Sequence, residues 1–303
     1  MKQTGIFGLF DILGFKTFCE NSDLDKSRKV LEWLDSLDVI FKAQLLNMFQ
    51  QPVGEFEALS FLNEFRWLIF SDTIFFALPF RDEPDSEAER SKLFFFIIVS
   101  AIMNRRMFEM GFPLRGIIHT GEFVVTKKCF SGKPIVDAFE RNSNMEIAAC
   151  VFSPEATAYI TNDIPISDKL GPFLPGLMSE FPIPHQRGPA EKLHALNWLS
   201  LFYPGKINPN LENVHDFVTS RFQDHGKQIK SDAVQRKLKN TQELLVHWIV
   251  TQPKMKQKWE DHPKFTGSIS TASVTSSGSA SDWMMRASSR LNALIARVRN
   301  MIW

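Results

Sequence analysis

Apolar and polar positions change period several times along the chain, and each change marks an element. Residues 5–13 are apolar at nearly every position and run into a Gly14-Phe15 break, the pattern of a strand buried on both faces that opens onto a helix. Asp11 interrupts that run near its end. From Val30 the apolar residues Leu34, Leu37, Phe41, Leu45 and Met48 fall at helical intervals behind the cap residues Asn21, Ser22 and Asp23, which predicts one long helix. Residues 65–70 and 74–80 are strand-like runs separated by Ser71-Asp72-Thr73, which predicts a tight hairpin with Asp72 at its tip.

The polar stretch 81–89, with Pro84, reads as a loop; Leu93, Phe96, Ile97, Ser100, Met103, Met107 and Met110 then trace a second helix ended by Gly111. A further hairpin is predicted from 114–119 and 122–126, turning at Thr120-Gly121. Pro134 opens a helix expected to run through Arg141 to about Val151. This order predicts an α+β fold, an antiparallel sheet with helices largely on one face. No internal repeat is visible. The pattern weakens after Trp198: residues 204–209 read as a connection and 218–248 as helix polar on one side. The expected organisation is a first domain over 1–200, a helical extension over 201–263, a flexible Ser/Thr/Gly/Ala-rich linker over 264–282 and a tail helix over 283–303. In that tail Met284, Ala287, Leu291, Leu294, Val298 and Met301 make an apolar stripe, while Arg286, Arg290, Arg297 and Arg299 occupy the polar side.

Composition narrows the picture. The chain has 303 residues, 44% hydrophobic, with 28 Phe, enough for a sizeable core and incompatible with a disordered chain. Its 35 Lys+Arg against 34 Asp+Glu leave a net charge of +1, without the basic excess that binding to a phosphate backbone needs, so no nucleic-acid partner is expected. Cys19, Cys129 and Cys150 are too scattered for a disulfide framework or a metal knuckle, and a reducing, cytoplasmic setting is expected. The apolar run 93–103 falls well short of the roughly 20 residues that span a bilayer. The N-terminal stretch reads as a first strand rather than a signal peptide. For the tail, docking on protein is expected ahead of adsorption to anionic lipid.

None of the GxxxxGK, GxGxxG, HExxH or GxSxG motifs occurs. What remains is Asp11 at the end of a hydrophobic strand and Asp72 at a hairpin tip, neighbours if the two strands pair. Taken singly, Asp72 reads as a turn residue and Asp11 as a strand-end cap. Taken together, two converging buried carboxylates repel unless a cation lies between them, and only two of them leave a divalent ion free positions for water and phosphate oxygens.

These carboxylates fall within a set of longer matches. The segment FGLFDILGF (7–15) resembles the FxDIxGFT opening of class III nucleotide cyclases, and FSDTIFFALP (70–79) resembles their GDxxxA hairpin with Ser71 replacing glycine. PLRGIIHTGE (113–122) resembles their RxGIHxG strand, and GKPIVDAFERNS (132–143) their GxxVNxAxR helix, with one extra residue and Asp137 in place of asparagine. The matches keep the family's order across 7–143. The resemblance implies a ferredoxin-like sheet, with domain 1–200 catalytic, and a head-to-tail homodimer whose two active sites lie at the interface. It implies two Mg2+ or Mn2+ per site on Asp11 and Asp72 with the carbonyl of Ile12, and Arg141 reaching in from the partner chain. The substrate would be a nucleoside triphosphate, cyclised by attack of its 3′-hydroxyl on the α-phosphorus with release of pyrophosphate. Asp137 and Arg141 share a helix face and read otherwise as a surface ion pair.

Base choice departs from the purine pattern of the family. Adenine-reading members have lysine four residues before the second metal aspartate and a polar residue seven before the asparagine; here those positions hold Leu68 and Phe130, which cannot bond a purine edge. The pattern resembles the pyrimidine (Pycsar) cyclases of bacterial anti-phage signalling, which implies UTP, or next CTP, as substrate and a separate effector that senses the cyclic product. The alternatives are an adenylate or guanylate cyclase and a non-catalytic cyclase-like module that dimerises or senses nucleotide. Arg187 stands near where the family places a triphosphate-binding lysine, and reads otherwise as an exposed loop residue. His119 is expected to pack rather than catalyse, Phe94-Phe95-Phe96 to lie in the core or a dimer seam, and Cys19 to be inert.

Overall fold

A computed structural model describes residues 3–22, 24–36, 64–80, 87–126, 129–163, 174–200 and 209–260. The tail helix, the linker, the Ser/Thr-rich stretch, most of the 81–89 loop, the 204–208 connection and the continuation of the first helix beyond Ser36 lie outside them.

The first strand, β1 (Gln3–Ile12), is buried on both faces because it is flanked on both edges: β3 (Thr73–Pro79) on one side and β4 (Leu114–Val125) on the other, both antiparallel. β2 (Arg66–Phe70) pairs with β3 through a turn of just Ser71 and Asp72. Helices α1 (Phe15–Asn21) and α2 (Leu24–Asp35) lie between β1 and β2, and α3 (Glu87–Glu109) between β3 and β4. The spatial order β2-β3-β1-β4 is therefore a βαββαβ unit with a four-stranded antiparallel, ferredoxin-like sheet. The sheet continues beyond β4 through β6 (Cys150–Phe152), which pairs with β4 in parallel, to β8 (Glu191–Leu196) and β7 (Met178–Ile183), both added antiparallel. The fold is α+β, as the order of elements predicts.

Strand alternation sorts the sheet into two faces. One carries Phe10 stacked on Phe76, and α3 lays Phe96 over that ring at 4.5 Å. This helix is apolar around its circumference because its middle is enclosed on all sides; Phe94, Phe95 and Phe96 belong to the core. The other face carries Phe7, Leu9 and Asp11 of β1 beside His119, Ile117 and Arg115 of β4. Against it packs α4 (Lys133–Asn144), whose Arg141 and Asp137 act electrostatically on His119, so helices cover both faces rather than largely one.

Three further boundaries differ from expectation. No turn occurs at Thr120-Gly121: β4 runs straight through, and Gly121 (φ +147°) is needed because a Cβ there would lie 2.6 Å from Pro134 Cγ. The hairpin comes later, where Val125 pairs with Phe130 of the short strand β5 (Phe130–Ser131). The helix that Pro134 opens ends at Asn144, since the apolar residues up to Val151 are needed as the buried strand β6. A short helix, α5 (Pro154–Ala158), follows it, capped by Ser153 Oγ accepting from the Ala156 amide. The stretch 218–248 is two helices, α6 (Val214–Gln223) and α7 (Asp232–Glu260).

The segment between α6 and α7 closes the end of α3. Gly111 takes φ +78°, His225 places Nε2 2.7 Å from the Met110 carbonyl, and the Lys227 ammonium donates to the Gly111 carbonyl, a cation at a helix C-terminus. Lys227 is squeezed beside Gly14, and burial lowers its pKa from 10.5 to about 8, against a partial rise from Asp224. α7 inserts Leu244, Leu245 and Trp248 into the core, Trp248 edge-on to Trp198. Among the described residues no helix is long and apolar enough to cross a membrane.

The folded state thus holds Lys227 less readily protonated than the unfolded chain does. Between about pH 8 and 10.5 the unfolded chain binds more protons, so stability from this group rises with pH. Wild type compared with Lys227→Met in urea should gain about 2 kcal/mol from pH 7.5 to 9.5. A pH-independent difference would contradict the burial of the ammonium.

Candidate active site

The two carboxylates singled out in the sequence are brought together by backbone bonding. Asp11 is the penultimate residue of β1 and pairs in register with Thr73 and Arg115. The next amide, Ile12 N–H, donates to the carbonyl of Asp72 at 2.8 Å, which draws the tip of the β2–β3 hairpin onto the end of β1. The tip is strained in one place: Ser71 has φ +54°, the left-handed region that favours glycine, at the position where the family pattern has glycine.

Burial pushes the Asp11 carboxyl above its ordinary pKa; Arg115 opposes the rise and the charge of Asp72 adds to it. Arg115 is the residue that sequence reading missed. It stands opposite Asp11 on β4, donates Nη2 to Asp11 Oδ2 at 2.9 Å, and donates Nη1 to the carbonyls of Ser143, in the last turn of α4, and Met145, just beyond its end, both at 3.0 Å. A strand period of two, counted from His119, puts Arg115 on the Asp11 face, which was the available signal.

Leu68 and Phe130, far apart in sequence, both meet Phe75. Leu68 is its register partner across the hairpin, and Phe130 stacks on it with centroids 4.3 Å apart and planes 7° from parallel. Phe75 stacks in turn on Phe7, and Phe7 on His119. Leu68 and Phe130 are therefore part of one largely aromatic wall on the face that carries Asp11. His119 is 4% exposed, and burial lowers its pKa despite the bond of Nδ1 to the Thr120 carbonyl; it packs, as expected.

Asp137 and Arg141 lie on α4, and the surface pair between them does not form. Arg141 reaches Glu155 of α5 at 4.0 Å and Glu191 of β8 at 3.6 Å instead, away from the two carboxylates of its own chain. Arg187 is exposed; its amide and carbonyl bond the side chain of Asn144, which fixes its backbone beyond the end of α4. Cys19, Cys129 and Cys150 are free thiols, and burial pushes Cys150 well above its ordinary pKa.

Among the described residues no cluster of three or more His, Cys, Asp and Glu side chains converges as a metal cage. Asp11 and Asp72 are an all-oxygen pair at the strand ends, where Arg115 bonds one oxygen of Asp11 and Lys237 adds a further opposing charge. Such a donor set fits a hard divalent cation that keeps most of its positions for water and phosphate, and no softer metal.

No protein-family model matches the chain, and no curated protein matches it by sequence. Solved structures similar to it include a bacterial light-regulated adenylyl cyclase, at 10% identity and TM-score 0.37, covering 73% of this chain and 99% of that one. A class III adenylyl cyclase-like ATP-binding protein from Pseudomonas aeruginosa has 17% identity and TM-score 0.38, over 55% of this chain and 36% of that one. The dimeric guanylyl cyclase domain of the RhoGC fusion protein from the fungus Blastocladiella emersonii has 10% identity and TM-score 0.35, over 65% of this chain and 98% of that one.

The strained hairpin tip makes a direct prediction. Ser71→Gly should stabilise the protein by roughly 1 kcal/mol, and Ser71→Val should destabilise it, both read as shifts in thermal unfolding midpoint. A Ser71→Gly protein that melts below wild type would place the turn in another conformation.

Proposed function

We propose that the protein is a metal-dependent nucleotide cyclase that uses a pyrimidine triphosphate, UTP ahead of CTP. The observation that carries this reading is the Ile12–Asp72 backbone bond, which brings the carboxylates of two separate matched motifs to one edge of the sheet. Asp11 and Asp72, with the Ile12 carbonyl, hold Mg2+ or Mn2+. When bound, two such ions make the ribose 3′-hydroxyl acidic and neutralise the triphosphate.

In the cyclisation the 3′-oxygen bonds the α-phosphorus, the bond from α-phosphorus to the β-bridging oxygen breaks, pyrophosphate leaves, and the hydroxyl proton passes to solvent. Arg141, turned away from the carboxylates of its own chain, serves the site of a second copy in a homodimer and stabilises charge on the α-phosphate. Asp137, one turn earlier, takes the ribose contact in place of asparagine. Leu68 and Phe130 define the base pocket with Phe75: an apolar, stacked wall that bonds no purine edge. The likeness to pyrimidine cyclases supports a role as a second-messenger synthase in anti-phage defence, with a separate effector reading the product.

The deciding experiment offers each of the four nucleoside triphosphates with Mg2+ or Mn2+ and measures pyrophosphate and cyclic product. UTP should turn over best. Preference for ATP or GTP would make the protein a purine cyclase, and a folded dimer that turns over none of them would be a binding module.

Asp11→Asn and Asp72→Asn should each lower turnover on the order of 100-fold or more while the unfolding midpoint stays near that of wild type, since each removes a charge and little volume. Near-normal turnover in either would remove the metal pair from the mechanism. Mixing inactive Asp11→Asn and Arg141→Ala proteins should restore activity through heterodimers with one intact site. Proven subunit exchange without recovery would place all the groups in one chain.

A further inference from the structure

Arg141, in the last turn of α4, is held by charge alone. Its Nη2 lies 4.0 Å from Glu155 Oε1 on α5, and its Nη1 lies 3.6 Å from Glu191 Oε1 on β8. Both separations exceed a hydrogen bond, and Arg141 donates none among the described residues. Two carboxylates from two different elements therefore attract the guanidinium without occupying its donors.

The glutamates are themselves confined. Each turns its other oxygen toward an almost wholly enclosed histidine ring: Glu155 Oε2 is 3.7 Å from His119 Nε2, and Glu191 Oε2 is 3.6 Å from His185 Nε2. His119 is anchored through Nδ1, 2.7 Å from the Thr120 carbonyl, and His185 by the backbone bridge that pairs it with Met145. Burial would raise the Glu155 carboxyl, but bonds from its own amide and the Ser153 hydroxyl, with the charges of His119 and Arg141, bring it below its ordinary pKa. The carboxylate nearest the end of the guanidinium thus stays ionised. A long, half-exposed arginine otherwise samples many rotamers, and a group that must act on a phosphate outside its own chain loses less entropy in reacting when it is already oriented.

We propose that Glu155 and Glu191 are positioning residues for Arg141: they aim the guanidinium away from the carboxylates of its own chain and keep its donors free for a phosphate held by a second copy. The role of Arg141 rests on the cyclase reading; the hold on it rests on the two ion pairs. The glutamates serve the arginine of their own chain and not the site at which Asp11 of that chain stands.

The test is the double variant Glu155→Gln/Glu191→Gln, which keeps both shapes and removes both charges. In the full chain without nucleotide, phenylglyoxal modification of Arg141, followed in its own peptide, should speed up about threefold, because the reagent needs the uncharged guanidine and nearby carboxylates disfavour that form. Each single variant keeps one ion pair and should give an intermediate rate. With substrate, kcat should fall about tenfold while KM stays near wild type, the mark of an arginine misplaced for the transition state. Mixing separates positioning from general damage. With Asp11→Asn, the double variant should regain turnover, because one chain supplies a held Arg141 and the other supplies Asp11; with Arg141→Ala it should not, because the one arginine left is unheld. Unfolding midpoints, measured alongside, identify a variant that has lost its fold. Unchanged labelling of Arg141 in the folded variants would overturn the proposal, as would equal recovery in the two mixtures. Faster labelling in a protein that cyclises no nucleotide would keep the hold and defeat the cyclase reading.

Discussion

One backbone hydrogen bond, from the Ile12 amide to the Asp72 carbonyl, sets where the two carboxylates stand relative to each other. It is available because β1 is the central strand of its unit and has paired with β3 by the time it reaches Asp11, so the hairpin tip arrives at the strand end in register. Two acidic side chains that would avoid each other in water are held together by main-chain geometry. The unfavourable charge is tolerated because burial is incomplete and Arg115 offsets part of it.

Much of this was legible in the sequence, for physical reasons that also mark where legibility stops. The 71–72 turn shows because a short polar insert between two apolar β-rich runs has few other conformations. Gly121 was read as a turn, since a glycine chosen for close approach of a proline on another element looks, locally, like one chosen for a bend. The end of α4 was misplaced because residues 147–151 are apolar throughout, and a fully buried strand has no alternation to set it apart from a buried helix. Leu68 and Phe130 were found by position within motifs, but their meeting on Phe75 is tertiary. Arg115 was missed because it draws its meaning from Asp11, 104 residues away.

A net charge of +1 conveys nothing of how charge is placed. The carboxylates gather at the end of β1 and β3, cations gather one strand and one helix away, and α4 turns Arg141 toward Glu155 and Glu191. Near-neutrality of the whole chain thus hides a local sorting of charge around Asp11 and Arg141.

The segment between α4 and β6 depends on a helix far along the chain. The Ala148 amide is bonded by Thr241, and the Glu146 carboxylate by Arg236, partners 93 and 90 residues further on. A chain cut before Asp232 would contain both carboxylates and all of the sheet, yet would leave these buried polar groups without their partners.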